Sequence, residues 1–394
     1  SNIIIMAVYK LFPSQDTTLY SAYQSMNTGL DSILEIKNEV TESGASPRVS
    51  RALIKFDNSE INNVINNEAN TLAVSASLKG FIAKATGVIM DSNIETFPLA
   101  TAFNNGTGRY LDNKIVDNGA SWIWSDYSGS NKWTTAGFNS LRTASFVGSN
   151  NAGGGYWWTG SGGYKWAGNN IGPLEATQSF TLRSQKDMDL DVTDIVKVWY
   201  SSSSGLNSGL TSIDNNGFIV KWSNTEEFNP SFAVNPWLKY YSVDTNTIYP
   251  PQLEIKWRDF AYETGSLNVI DTPDLFVALD NNQGTFYSQS INNFRLNCRP
   301  EFPVRTYKTS SLYTTNHALP SSSYYAVKDL STNEFVIDFD PLFTQISCDV
   351  TGSFFKVYMN GLQPERNYQI LIKTEIKGNT LVLDENYTFK VVNG

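Results

Sequence analysis

Histidine and cysteine are almost missing from this sequence, and their scarcity removes whole classes of chemistry. One histidine, His317, and two cysteines, Cys298 and Cys348, stand among 394 residues. A zinc site needs several Cys and His ligands at short spacings, and none of these three residues has such a partner nearby in sequence. His317 sits in a Ser/Thr-rich loop before Pro320 and reads as an ordinary surface histidine rather than a general acid or base. Two thiols make no disulfide framework, so Cys298 and Cys348 read as partly buried free thiols. No G-x-S-x-G nucleophile elbow is present. Gly153-Gly154-Gly155 lacks the Lys-Ser/Thr and the strand-to-helix setting of a phosphate cradle, and reads as a turn.

Long apolar runs and a surplus of positive charge are also missing. A membrane helix needs about 20 apolar residues, and a secretory signal needs a basic start before its apolar stretch. The opening Ser1–Met6 offers neither, so the sequence predicts a chain made and assembled in the cytoplasm, without membrane insertion. Lys and Arg number 29 against 38 Asp and Glu, a net charge of −9. Nucleic acid is therefore a poor partner, because neutralising phosphates requires a basic excess.

What is abundant is material for sheets. Hydrophobic residues make up 41% and aromatics 13%, alongside many Ser, Thr, Asn and Gly residues. Apolar and polar residues alternate in Leu34–Lys37, Arg51–Phe56, Leu72–Lys79, Phe218–Trp222 and Leu253–Trp257. The same pattern returns in Leu275–Leu279, Phe286–Ser290, Tyr324–Lys328, Phe335–Phe339, Phe354–Tyr358, Tyr368–Lys373 and Tyr387–Val392. Short strands with polar turns point to sandwiches rather than a parallel α/β sheet. One stretch, Asp191–Tyr200, predicts a helix of about 7–9 residues, with Ile195, Val198 and Trp199 on one face. Asp191 or Thr193 is its expected cap. The length suggests two domains, 7–257 and 266–394, joined after Trp257.

Several segments carry a resemblance when taken in order. Asp16-Thr17-Thr18-Leu19-Tyr20 and Asn27-Thr28-Gly29-Leu30-Asp31 come first, followed by Ser50–Asp57 and the strand at 72–79. Gly119–Trp122, Asp191–Val196 with Trp199, Asn215–Lys221 and Pro251–Ile255 complete the series. Residues 7–257 thus resemble a DNRLRE-type domain, a jelly roll related to carbohydrate-binding modules. Gly361–Ile370 contains a Leu-x-Pro turn followed by Tyr368 and an alternating strand. It resembles the tyrosine corner of a fibronectin-type III or immunoglobulin-like sandwich. The fold expected is all-β: a jelly-roll sandwich with one short helix and long Trp/Gly-rich loops, then an Ig/fibronectin-III-like sandwich.

The pairing of the two domains, and the opening Ala7–Pro13, also resemble virion structural proteins of tailed bacteriophages. That likeness implies a non-enzymatic component of the tail, baseplate or fibre region, located in the virion. It would act through contacts with other virion proteins, as a homo-oligomer within a symmetric assembly. The alternative is an adhesin module that binds a host surface glycan.

Two groups of residues are candidate sites. The stretch 123–172 is an insertion relative to the resemblance, and with its flank it carries Trp122, Trp124, Trp133, Trp157, Trp158 and Trp166. Such rings stack on sugars, anchor protein interfaces, or form a satellite core beneath long loops. The insertion is expected to be the functional surface and to be dispensable for the fold. Asp187, Asp189 and Asp191 are candidate ligands for a structural calcium of the kind related sandwich modules carry. The competing reading is a capped helix with solvated neighbours. No other cofactor is expected.

Overall fold

The computed structural model describes the chain except residues 1–6, 41–46, 70–73, 89–90, 111–117, 134–141, 144–152, 159–164, 167–168, 172, 204–212, 228–235, 259 and 304–314. It is an all-β protein, as the alternation predicts. The main sheet of the N-terminal part runs, in spatial order, Ala176–Phe180, Ser92–Pro98, Phe218–Trp222, Arg48–Lys55, Ile33–Glu39, Trp237–Tyr241 and Ile82–Thr86. Gln15–Tyr20 also pairs with Arg48–Lys55. A second sheet pairs Met188–Asp191 with Ser77–Gly80.

The helix covers Thr193–Ser203, longer than predicted at its C-terminal end. Serine only mildly disfavours helix, and Ser201 is fully buried, so packing carries the helix through the Ser run. Ile195, Val198 and Trp199 are buried on its inner face, with the Trp199 ring 4.7 Å from that of Phe218. The Asp191 carboxylate accepts from the Thr193 N–H at 3.1 Å, and the Thr193 hydroxyl accepts from the Ala76 N–H at 2.9 Å.

The expectation of one helix was too few. Asn58–Asn63 is helical, capped by the Asp57 carboxylate at 2.7 Å from the Ser59 N–H, and it continues as a π-helix over Val64–Ala69. Its signal was in the sequence: Asp57 precedes Ile61, Val64 and Ile65, all buried and spaced three and four apart. A further short turn of helix spans Asn224–Glu227.

Packing divides the chain into two compact units. One comprises Leu11–Val64 and Ser75–Glu254, and the other Ser1–Lys10, Ile65–Val74 and Ile255–Gly394. Within the latter unit one sheet is ordered Leu275–Asp280, Ile291–Pro300, Gly352–Tyr358, Ser347–Asp349. The other is ordered Thr285–Tyr287, Asn379–Val392, Arg366–Ile376, Ser323–Asp329, Phe335–Ile337. Side chains from both meet in one core that includes Val277, Phe294, Leu296, Tyr325, Ile370 and Phe389. Tyr368 is buried and its hydroxyl donates to the Gln363 carbonyl at 2.9 Å, the tie its position after Pro364 predicts. In the same unit Tyr358 lies against the rings of Tyr9 and Trp257, and its hydroxyl donates to Glu68 at 2.8 Å.

Candidate functional site

The tryptophans lead inward. Cross-strand register places Leu19 beside Arg51, Leu53 beside Ile219, Ile219 beside Phe97 and Lys221 beside Glu95, so these residues share one face of the main sheet. Trp122, Trp133, Tyr156 and Trp157 cover that face and form one buried cluster with Leu19, Leu53, Phe97 and Ile219. Trp158 is buried as well. Trp124 alone of the described rings is half-exposed, flanked by Lys132 at 4.9 Å and Tyr127 at 5.3 Å. The Trp166 side chain lies outside the described residues.

A buried ion network joins the insertion to the sheet. The Arg51 guanidinium donates to both oxygens of Glu227, at 2.6 and 2.9 Å, and to the Gly154 carbonyl at 2.6 Å. Its plane lies 4.8 Å from the Trp122 ring and 5.4 Å from that of Trp157. Lys221 stands 3.6 Å from Glu227 and 3.5 Å from Glu95, and burial lowers its pKa despite both carboxylates. Arg51, Lys221 and Glu227 side chains are fully buried. Gly154 has φ +72°, and a Cβ there would meet Arg51 Nη1 at 2.6 Å, so the turn is specific to glycine. Where the insertion was expected to present its rings outward, most of the described ones are buried. Among its described rings, Trp133, Tyr156, Trp157 and Trp158 are core, and the first three lie with Trp122 over the sheet face that carries Leu53, Phe97 and Ile219.

The remaining sequence candidates do not converge. Asp187 accepts from the Ile82 N–H at 2.7 Å, Asp189 pairs with Lys79 at 3.2 Å, and Asp191 is committed to Thr193. Among the described residues no group of three or more acidic, His or Cys side chains is placed to hold a metal ion. His317 Nδ1 lies 3.1 Å from the Thr315 carbonyl oxygen. Cys298 and Cys348 are free and buried, and burial pushes both thiols up, Cys348 to about 11.

A groove that the sequence did not single out lies on another part of the same unit. In Ile33–Glu39 the residues Leu34, Ile36 and Asn38 are buried, while Ile33, Glu35, Lys37 and Glu39 face out. The neighbouring strand sets Trp237 beside Lys37 and Lys239 beside Glu35. These side chains floor a groove of about 420 Å³, walled by Tyr20, Tyr23 and Tyr110 and reached by Arg48. Lys239 pairs with Glu35 at 2.9 Å and Lys37 with Glu39 at 3.0 Å. Both ammonium groups also lie over the Trp237 ring, at 3.9 and 4.6 Å. Tyr20 and Tyr110 rings are 5.2 Å apart, and Tyr23 and Tyr110 rings 6.0 Å. Burial, then Glu35 and Asp31, holds the Tyr20 hydroxyl well above its ordinary range, and burial with Tyr23 raises Tyr110 to about 12. Aromatic walls over a floor of paired charges suit binding of an amphipathic, hydroxyl-rich surface.

The wall is set by the Asn27-Thr28-Gly29 motif. Fully buried Asn27 donates to the Asn105 and Ala120 carbonyls, each at 2.7 Å, and accepts from the Gly108 N–H at 2.8 Å and the Gly29 N–H at 3.2 Å. Asp31 then accepts from the Tyr110 N–H at 3.1 Å. Gly106 and Gly119 have positive φ, and a Cβ on either would lie within 2.7 Å of the Asn27 amide. Asn27→Ala should cost about 3 kcal/mol, since it strands several buried backbone groups at once. Urea denaturation checks this, and an unchanged midpoint would show that the loops do not depend on the amide.

Compared with known families and curated proteins, the chain matches no protein-family profile and no curated sequence.

Proposed function

We propose that this chain is a non-enzymatic structural protein of a tailed-bacteriophage virion, in the tail, baseplate or fibre region, working through protein–protein contacts. The likeness of its domain pairing and of the opening Ala7–Pro13 to such proteins supplies the class. The observation that carries the contact role is where apolar surface is left uncovered. Apart from Tyr127 and Leu182, every exposed large apolar side chain described belongs to the C-terminal unit, among them Phe276, Tyr287, Phe302, Phe335 and Leu342. Their concentration in one unit is what supports a contact role for that unit. Mass spectrometry of purified particles from infected cells tests the reading. Recovery of the chain at a fixed stoichiometry supports it, and its absence from particles while present in the lysate rules it out.

The groove favours a second reading, a glycan-binding adhesin, and moves its site from the tryptophan loops to Trp237 and Tyr110. Trp237→Ala is expected to weaken binding on a glycan array roughly tenfold while leaving the melting temperature unchanged. Equal array signals from parent and variant would remove the groove from consideration.

A further inference from the structure

We propose that the groove floored by Ile33–Glu39 and Trp237–Tyr241 takes an uncharged glycan, held by two neighbouring ring hydroxyls that bridge Glu35 and Lys239, and that it rejects acidic glycans. The inference rests on the glycan reading and adds to it the chemistry of the ligand.

Charge in the groove is already matched within the chain. Glu35 and Lys239 are cross-strand neighbours 2.9 Å apart, and Lys37 stands 3.0 Å from Glu39. At the rim, register sets Arg48 opposite Glu39. With Asp31, the lining carries three carboxylates and three cations, so it holds no surplus of either sign to attract a charged ligand. An acid group entering the floor would meet Glu35 and Glu39 as like charges, and an amine would meet Lys37 and Lys239.

Hydroxyls meet no such obstacle, because each both donates and accepts. Neighbouring hydroxyl oxygens on a sugar ring stand about as far apart as the two heavy atoms of the Glu35–Lys239 pair. One can therefore donate to the carboxylate while the next accepts from the ammonium. Both side chains can be reached, being 12% and 27% exposed. Glu35 is also fixed in place: its N–H donates to Thr18 Oγ1 at 3.0 Å, and its carboxylate accepts from the Tyr20 hydroxyl. A carboxylate has about four lone-pair sites, so Lys239 and Tyr20 leave room for a ligand hydroxyl. Trp237 holds both lysines over its ring, at 3.9 and 4.6 Å. Tyr23 and Tyr110, both partly exposed, offer ring surface for the C–H face of the sugar.

A glycan array carrying neutral and acidic polymers, run at low and high salt, tests the assignment with the parent, Glu35→Gln and Lys239→Gln. The parent should retain neutral glycans equally at both salt levels, since no net charge is paired on binding. Each variant should lose about tenfold in that binding with an unchanged melting temperature, because a partly exposed pair contributes little to stability. Glu35→Gln alone should also gain salt-sensitive binding of acidic glycans, through the ammonium it releases. Preference of the parent for acidic glycans, weakened by salt, overturns the inference and leaves the glycan reading standing. So does neutral binding indifferent to both substitutions. Retention of no glycan at all removes the reading and the inference with it.

Discussion

Arg51→Ala is expected to cost on the order of 5 kcal/mol or more, enough to unfold a domain of ordinary stability. The change removes both hydrogen bonds to Glu227 and leaves that carboxylate fully buried beside Lys221, at 3.6 Å. It also strands the Gly154 carbonyl and takes a cation from between the Trp122 and Trp157 rings. The penalty is large because the surviving partners stay out of water, whatever the net worth of the intact pair. Arg51→Lys should recover only part of it, since one ammonium cannot make two parallel bonds to a carboxylate and reach a third oxygen. Guanidinium chloride denaturation of the three proteins decides the matter. An alanine variant as stable as the parent would mean that water reaches Glu227.

Asp16→Asn is expected to stabilise the protein, more so as pH rises. Burial pushes the Asp16 carboxyl up to about 7, opposed by the Val243 N–H at 2.7 Å and helped by Asp244. Its other oxygen is buried with no hydrogen-bond partner among the described residues. A carboxyl raised in the folded state costs nothing below its unfolded pKa near 4. The cost grows as pH climbs to the folded value near 7 and is constant above it, reaching about 4 kcal/mol. Asparagine keeps an acceptor for Val243 and never ionises. The variant's stability advantage over the parent should therefore be about 2–3 kcal/mol greater at pH 8 than at pH 5. Comparing the advantage at two pH values cancels the fixed cost of a buried amide. Parallel stability curves across this range would show that Asp16 ionises without penalty.

Much of the architecture was legible along the chain. Phe218–Trp222 spans the strand the alternation predicts, because alternation reports which side chains a sheet buries. Asp191 meets Thr193 at the helix start and Tyr368 ties back to Gln363, both through local hydrogen bonds whose partners lie a few residues apart. Strands with weak patterns were harder. Ile291–Pro300 carries Asn and Arg on its outer face, and only Phe294, Leu296 and Cys298 mark its inner one.

By itself, then, the sequence determined the all-β class, most strand positions, the helix with its cap, and the scarcity of histidine and cysteine. Only the tertiary structure decided what the aromatic residues do. Trp122 and Trp157 sit in glycine-rich segments that read as surface loops, and become core because a distant sheet face carrying Leu53, Phe97 and Arg51 must be covered. The groove likewise brings Tyr20, Tyr110 and Trp237 together from three remote segments. Periodicity tells which way a side chain points from its own strand. Which later segment lies over it depends on long-range packing, and no local pattern records that.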